Sequence, residues 1–306
     1  MGSGMVADTT RLSIGLPVFN GENYLAAALD SLLGQSFADF ELIICDNAST
    51  DRTPEICRVF AAADKRIQYH PNATNIGAAG NYNRTLSLSR GEYFKWASHD
   101  DVCHPTFLEK CVEVLDTRPD VVLCHSHSEG IGSRGEVKGY YGEELAFDAP
   151  KAAQRLWQVI SNPHVCIAVF GVMRRDILLR TIRHGDWVGA DRNLLAELSL
   201  YGKIELLPEY LFRRREHDEA SIHKFEDESE RLAWFDPALA GTLSLPTWRR
   251  LQEYFKAVHR SPLATSERIP CYAKLARWIG AKHHTGPRNA QLMLREIGKA
   301  LRHGRK

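Results

Sequence analysis

The sequence carries no cysteine framework. Its seven cysteines are scattered, odd in number and without a C-x-x-C pair. That excludes a disulfide scaffold or zinc ribbon and reads as reduced thiols of the cytoplasm. Charge of one sign is not in excess either: 39 Lys and Arg stand against 38 Asp and Glu, a formal net charge of +1. A balanced chain offers no global attraction for nucleic acid. No apolar run approaches the ~18 residues of a membrane-spanning helix, no signal peptide is visible, and no internal repeat or low-complexity tract interrupts the chain. Glycine is missing where nucleotide-binding loops use it most. The first strand-like run ends in LPVFNGENY, with one glycine in place of G-x-G-x-x-G, and no GxxxxGK[ST] occurs. A glycine nest for phosphate is therefore not expected.

What remains is ordinary globular composition, 44% hydrophobic and 25% charged over 306 residues, enough for a large domain with an appendage. The leading MGSGM resembles an expression remnant and is set aside. From there, short apolar runs alternate with helical periodicity. Strands are expected at residues 12–19 (LSIGLPVF), 40–45 (FELIIC), 67–70, 93–97 and 121–125. Helices are expected at 22–33, from Thr53-Pro54 to about residue 63, at 76–89 and at 105–115, with Thr53 and Pro54 suited to a helix start. Strands separated by helices imply βαβ crossovers and an α/β fold with an open, mostly parallel sheet flanked by helices. After residue 137 the rhythm changes. Helices are expected at 147–160 and 187–200, a strand or buried segment at 165–173, a strand at 202–207, and a helical C-terminal region from Lys224 with prolines at 237, 246, 262, 270 and 287.

Open parallel sheets bind ligands beyond the carboxyl ends of their strands. Polar residues gather at those ends: Asn20 and Glu22, Asp46 and Asn47, Asp100 and Asp101. Adjacent carboxylates at the end of a buried strand call for a cation, a donor or water. A divalent ion held through one or two carboxylates and substrate phosphates answers both that need and the missing glycine nest, and Mg²⁺ or Mn²⁺ suits oxygen ligands.

At this point the sequence resembles a known family. LSIGLPVFNGENYLAAALDSLLGQSFADFELIICDNASTDRT, then NIGAAGNYNRTLSLSRGEY and SHDD, are similar in content and order to inverting glycosyltransferase family 2, with its GT-A fold. The resemblance is strong over residues 12–125 and readable to about 222. It implies a GT-A domain over 12–222, with a nucleotide-binding half (12–125), an acceptor and catalytic half (126–222), and a helical region over 223–306. It implies transfer of a sugar, from a UDP-sugar before GDP- or dTDP-sugars, to a glycan, lipid-linked or small-molecule acceptor, assisted by a divalent metal.

The resemblance assigns roles residue by residue. Asp100 takes the place of the last Asp of the DxD motif and is the expected metal ligand. Ser98 stands where the first Asp would be, able to hydrogen-bond a ribose or a metal-bound water, and His99 fills the middle position. Asp101 either joins the site or braces the following helix, because neighbouring side chains on extended backbone point to opposite sides. Asp46 is expected to accept from the base, or to close an Asx turn with Ser49. Pro17, Phe19 and Glu22 match the first nucleotide loop. Phe19 would pack on the base, and Glu22 would accept from the nucleotide or favour a helix N-terminus. Asn75 and Gly77 fit a second nucleotide-side loop, and Asn83 a helix residue that ties strand ends together. Asp191 matches the later acidic motif and is the expected catalytic base, or else pairs with Arg192. In RRREH, Arg215 would meet a diphosphate, and His217 a metal or diphosphate, with Ser221 following. A solvated face is the competing reading of the arginines.

His125 and His127 share a strand face but lack further ligands at zinc spacing. The 288–306 tail has an amphipathic look with several Lys and Arg, suited to peripheral contact with an anionic membrane surface or to a solvated helix. Two other classes compete with this reading. A nucleotidyltransferase would want a glycine-rich first loop and a lysine near the phosphates. A degenerate, non-catalytic nucleotide-sugar-binding protein finds support in Ser98 and opposition in Asp100 and Asp191. The oligomeric state is not legible.

Overall fold

The computed structural model describes residues 10–141, 145–217, 228–239 and 246–283. The leading MGSGM, Ser221 and the 288–306 tail lie outside the described residues.

Strands β1 (Leu12–Val18) and β2 (Phe40–Asp46) are buried along their whole length. A strand covered on both faces has no solvent side to alternate toward, which is why these segments read as near-continuous apolar runs. Helices α1 (Leu25–Leu33), α2 (Thr53–Ala63) and α3 (Gly77–Leu88) carry the chain between β1, β2, β3 (Ile67–Pro71) and β4 (Tyr93–Trp96). These four strands pair in parallel in the order β3-β2-β1-β4.

Beyond β4 the sheet becomes mixed. β8 (Val172–Arg174) runs antiparallel to β4 and to β6 (Val121–Ile131), whereas β9 (Lys203–Arg215) is parallel to β6. β7 (Val137–Tyr141) folds back on β6, and the two-residue β5 (Val102–Cys103) pairs antiparallel with the end of β9. The expected α/β architecture stands, with a parallel first half and a mixed second half. The last pairing matters most for function. It matches Val102 with Arg213, so the residues just before β5 lie beside those just after β9.

Two buried clusters flank the sheet. One joins the even residues of β1 (Leu12, Ile14, Leu16, Val18) to α1 and to α4 (Phe107–Thr117). The other joins Phe94 and Trp96 of β4 to α5 (Ala152–Ser161) and α7 (Ala190–Tyr201). The C-terminal helices α9 (Pro246–Arg260) and α10 (Thr265–His283) belong to this second core through Tyr254, Val258, Leu275 and Trp278. The Trp278 indole donates to the Ile160 carbonyl at 2.9 Å. Among the described residues, no helix is long and apolar enough to cross a membrane.

Four segments differ from the sequence reading. Residues 165–173 fold as a 3₁₀ helix (Cys166–Phe170) before the short β8, which the one-turn α6 (Arg175–Leu178) follows. The helix expected from 147 begins at Ala152, because Phe147 is held by backbone pairing with Ile204. β5 and β7 went unread because one has only two residues and the other is mostly solvent-facing, so neither bears an apolar pattern.

Candidate active site

Asp100 sits on the link from β4 to β5, and His217 just beyond β9. The β5–β9 pairing brings them together: Asp100 Oδ2 lies 3.0 Å from His217 Nε2. Ser98 Oγ donates to the other carboxylate oxygen, Oδ1. Burial pushes the Asp100 carboxyl up, but the His217 and Ser98 hydrogen bonds and the nearby His99 outweigh it. They hold Asp100 well below the usual carboxylate range. Asp101 turns the other way. Its Oδ1 accepts the Arg215 main-chain N–H at 2.9 Å, and burial together with the charge of Asp100 pushes it up to about 8. Asp101 thus braces the β9 end while Asp100 faces the opening.

Arg215 is buried, and its guanidinium donates to main-chain carbonyls: Nε to Asp100 at 2.9 Å, and Nη1 to Gly132 at 2.8 Å and Ser133 at 3.2 Å. It also stacks over the Tyr24 ring at 4.7 Å. These bonds fix the Asp100 backbone. Arg214 is the neighbour whose charge acts on Asp101.

Whether this corner suits a divalent ion can be tested on its donors. Among the described residues no three His, Cys, Asp or Glu gather into a ready-made cluster. Mg²⁺ and Mn²⁺ ask for less, commonly one or two protein ligands with phosphate and water completing the shell. Asp100 Oδ2 and His217 Nε2, hydrogen-bonded to each other at 3.0 Å, stand close enough together to share an ion once the proton between them is lost. Among the described residues, His217 Nδ1 is buried without a hydrogen-bond partner. The donor set of Asp100, His217 and the neutral Ser98 hydroxyl fits a divalent ion shared with a phosphate ligand.

These residues line a cleft of about 970 Å³, together with Pro17, Phe19, Asn75, His99 and Asp191. Phe19 is 41% exposed, an apolar face open at the end of β1. Glu22, Asp46 and Gly77 lie outside the cleft lining. Asp46 accepts from the Ser49 N–H at 3.0 Å and from the Tyr69 hydroxyl at 2.7 Å, so it closes the loop after β2 as an Asx turn does. Glu22 accepts the Arg52 N–H at 3.1 Å and ties the first loop to α2.

Asp191 lies in the first turn of α7, behind Gly189, whose φ of 85° is the left-handed turn that only glycine adopts cheaply. No hydrogen bond or ion pair engages the Asp191 carboxylate among the described residues. Arg192 does not pair with it and donates instead to the Val159, Asn162 and His164 carbonyls. A carboxylate left unpaired in a cleft is available to a ligand.

Several residues escaped the sequence reading, and Asn47 entered it only as a polar residue at a strand end. Asn47, Asn72 and Asn81 are buried and linked: Asn72 Nδ2 donates to Asn47 Oδ1 at 2.9 Å and to Asn81 Oδ1 at 3.0 Å. Asn47 Nδ2 reaches Asn75 Oδ1 at 2.8 Å, and Asn81 Nδ2 reaches the Cys45 carbonyl at 2.7 Å. This network fixes the loops after β2 and β3 against the strand ends, and only the clustering of asparagines after strands hinted at it. Lys95 is fully buried, donating to the Trp96 and Phe170 carbonyls between the Phe107 and Phe212 rings. Helix α8 (Glu228–Phe235) brings Trp234 and Phe235 to the cleft from a region with no motif.

Residues 13–181 match the family described as Glycosyl transferase family 2. An uncharacterized glycosyltransferase of Rickettsia typhi is 34% identical over 116 residues, 37% of this chain and 35% of that protein, so the match spans about a third of that relative. Among solved structures, Staphylococcus aureus TarS 1-349 in complex with UDP-GlcNAc superposes with a TM-score of 0.62 at 15% identity, covering 96% of this chain and 79% of that one. The mannosyltransferase PcManGT of Pyrobaculum calidifontis, in complex with GDP-Man and Mn²⁺, gives 0.54 at 16% identity, covering 96% and 81%. At such identities the likeness is one of fold, a sheet flanked by helices as in GT-A glycosyltransferases.

Proposed function

The chain belongs to glycosyl transferase family 2, and on that premise we propose that it transfers a sugar from a nucleotide-diphosphate donor to an acceptor hydroxyl, with inversion at the anomeric carbon. A UDP-sugar is the donor we favour, supported by the UDP-GlcNAc complex of TarS, and the Mn²⁺ of PcManGT supports a divalent metal. One observation carries the reading: a single cleft is lined by the Asp100–His217 pair and by an unpaired carboxylate, Asp191.

Displacement at an anomeric carbon needs a base for the incoming hydroxyl and stabilisation of the departing diphosphate. Asp191 takes the proton as the acceptor oxygen bonds to the anomeric carbon and the bond to the diphosphate oxygen breaks. Asp100, kept ionised, and His217 would hold the divalent ion, with Ser98 as a neutral oxygen beside them. When bound, such an ion supplies Lewis-acid neutralisation of the leaving diphosphate. Asp101 and Arg215 keep the Asp100 backbone in register, so that little reorganisation is required during reaction. Phe19 and the Asn47–Asn75 pair would receive the nucleoside.

The test is calorimetric titration with UDP, GDP and dTDP, each with and without Mn²⁺, followed by turnover with the matching sugar nucleotides and NMR of the product anomer. Metal-dependent binding of one nucleotide with inverted product supports the proposal. Binding without turnover of any donor would favour a non-catalytic nucleotide-sugar-binding protein. No binding by any of the three would count against the nucleotide site.

A further inference from the structure

The cleft has a second wall, which the donor does not explain. Trp234 and Phe235 of α8 pack edge to face with centroids 4.9 Å apart, Phe235 lies 6.0 Å from the His184 ring, and His184 lies 4.4 Å from Tyr82. Trp96 closes the series, 6.1 Å from Tyr82. All five rings line the cleft that holds Asp191. From this wall we propose that the acceptor is a glycan whose terminal pyranose stacks on the Trp234–Phe235–His184 face while its hydroxyl meets Asp191. This rests on the transferase reading above and adds the acceptor's chemical class to it.

The wall is built to hold its shape. The Asn83 amide clamps the His184 backbone in both directions, accepting its N–H at 3.0 Å and donating to its carbonyl at 2.8 Å. α8 rests on the first residue of α3: a Cβ added to Gly77 would come within 2.4 Å of the Phe235 carbonyl. Gly77 thus serves the acceptor helix as well as the loop beside Asn75. Burial lowers the His184 pKa, so the middle of the wall is a neutral ring.

The chemistry selects a sugar. A pyranose has one face of C–H bonds, which the negative face of an aromatic ring attracts, and a rim of hydroxyls for polar partners. Asp191, Arg183 and Glu230 supply that rim in the same cleft. The nucleoside base has its own apolar surface at Phe19, on the loop after β1, so the wall is not required for the donor. A phosphate-rich chain without rings would leave these five rings unmatched, and the cleft's other arginines, Arg214 and Arg215, lie at the Asp100–His217 corner.

The experiment is saturation-transfer NMR on the full chain with UDP and Mn²⁺ present. The probes are methyl pyranosides, short neutral oligosaccharides and a glycerol-phosphate oligomer. Saturation is expected on the C–H protons of one pyranose face. Trp234→Ala and Phe235→Ala should weaken that sugar about tenfold, and Trp234→Phe should restore most of it. Trp248→Ala, on an α9 residue 58% exposed and outside the cleft lining, should change nothing. Unchanged sugar binding in both alanine variants overturns the proposal. So does binding of the glycerol-phosphate oligomer alone, or silence across all probes while UDP binds. If UDP itself fails to bind by calorimetry, the transferase reading fails first, and the two failures are thereby distinguished.

Discussion

Asp100 Oδ2 and His217 Nε2 stand 3.0 Å apart across 117 positions of sequence, brought together by the pairing of two-residue β5 with the end of β9. Neither lies on the element that carries the other, so each depends on that pairing for its place in the cleft. The first prediction follows from that dependence. Asp100→Asn keeps the volume and removes the charge. It should lower Mn²⁺-dependent UDP affinity about 10- to 100-fold, and His217→Gln should do so to a similar extent. Calorimetry with and without Mn²⁺ checks this. Equal UDP affinity in wild type and both variants, at saturating metal, would remove the pair from the site.

Asp191 gives the second prediction. An unpaired carboxylate at the start of α7 contributes little to holding the fold, so its removal should be felt in chemistry. Asp191→Asn should reduce kcat by about 10²- to 10⁴-fold while UDP affinity and thermal unfolding stay near wild type. Steady-state kinetics beside calorimetry separates the two effects. An Asn variant with near-full turnover would mean that another group takes the proton.

How much of this was legible beforehand depends on the range of the interactions. β1, β2 and the helices between them were readable because local periodicity and burial agree along each segment. Asp100 and Asp191 were singled out through the resemblance, since their surrounding motifs are contiguous in sequence, and both line one cleft. The partners that give them meaning were not. That Asp101 would hold the Arg215 backbone, or that Arg215 would stack on Tyr24 and bond to Asp100, depends on the mixed half of the sheet, where β5 has no pattern of its own. α8 was equally hidden. Its Trp234 and Phe235 would read as core residues of an amphipathic helix, and only the docking against Gly77 shows them at the cleft.

Lys95 illustrates the same limit and supplies the third prediction. In the run YFKW it looks like the solvent-facing member of a strand, yet alternation turns it into the layer of Phe107 and Phe212. Its ammonium satisfies the Trp96 and Phe170 carbonyls. Lys95→Met keeps most of the bulk and leaves those acceptors without their donor. A loss of about 1–3 kcal/mol in unfolding free energy is expected, measured by urea unfolding. A Met variant as stable as wild type would show that the carbonyls find other donors.

Gly77 carries the fourth. Its φ of 76° lies in the left-handed region, and an added Cβ would press on the Phe235 carbonyl. The backbone strain alone costs about 1–2 kcal/mol, and the contact adds to it by displacing α8. Gly77→Ala should therefore lower the unfolding temperature and raise hydrogen exchange in residues 228–235 more than in β1. Exchange that rises uniformly, or not at all, would count against the α8 contact.

The last prediction concerns pH. His125 is buried on β6, and loss of water around the ring, with His127 adding to the effect, pushes its pKa down to about 4. The unfolded chain binds this proton near the ordinary value of about 6.5. Between those values the unfolded state therefore holds more protons than the folded one, and stability must fall as pH falls. Above about pH 6.5 the residue is neutral in both states and exerts no pH dependence. Below about pH 4 both states are protonated and the loss is complete, at about 3 kcal/mol for this one group. His125→Gln removes the titration while leaving the carboxylates in place. Urea unfolding of wild type and variant at intervals from pH 7 to pH 4 should give the variant a shallower decline across this window. Parallel curves would mean that His125 gains its proton in the folded state as readily as in the unfolded one.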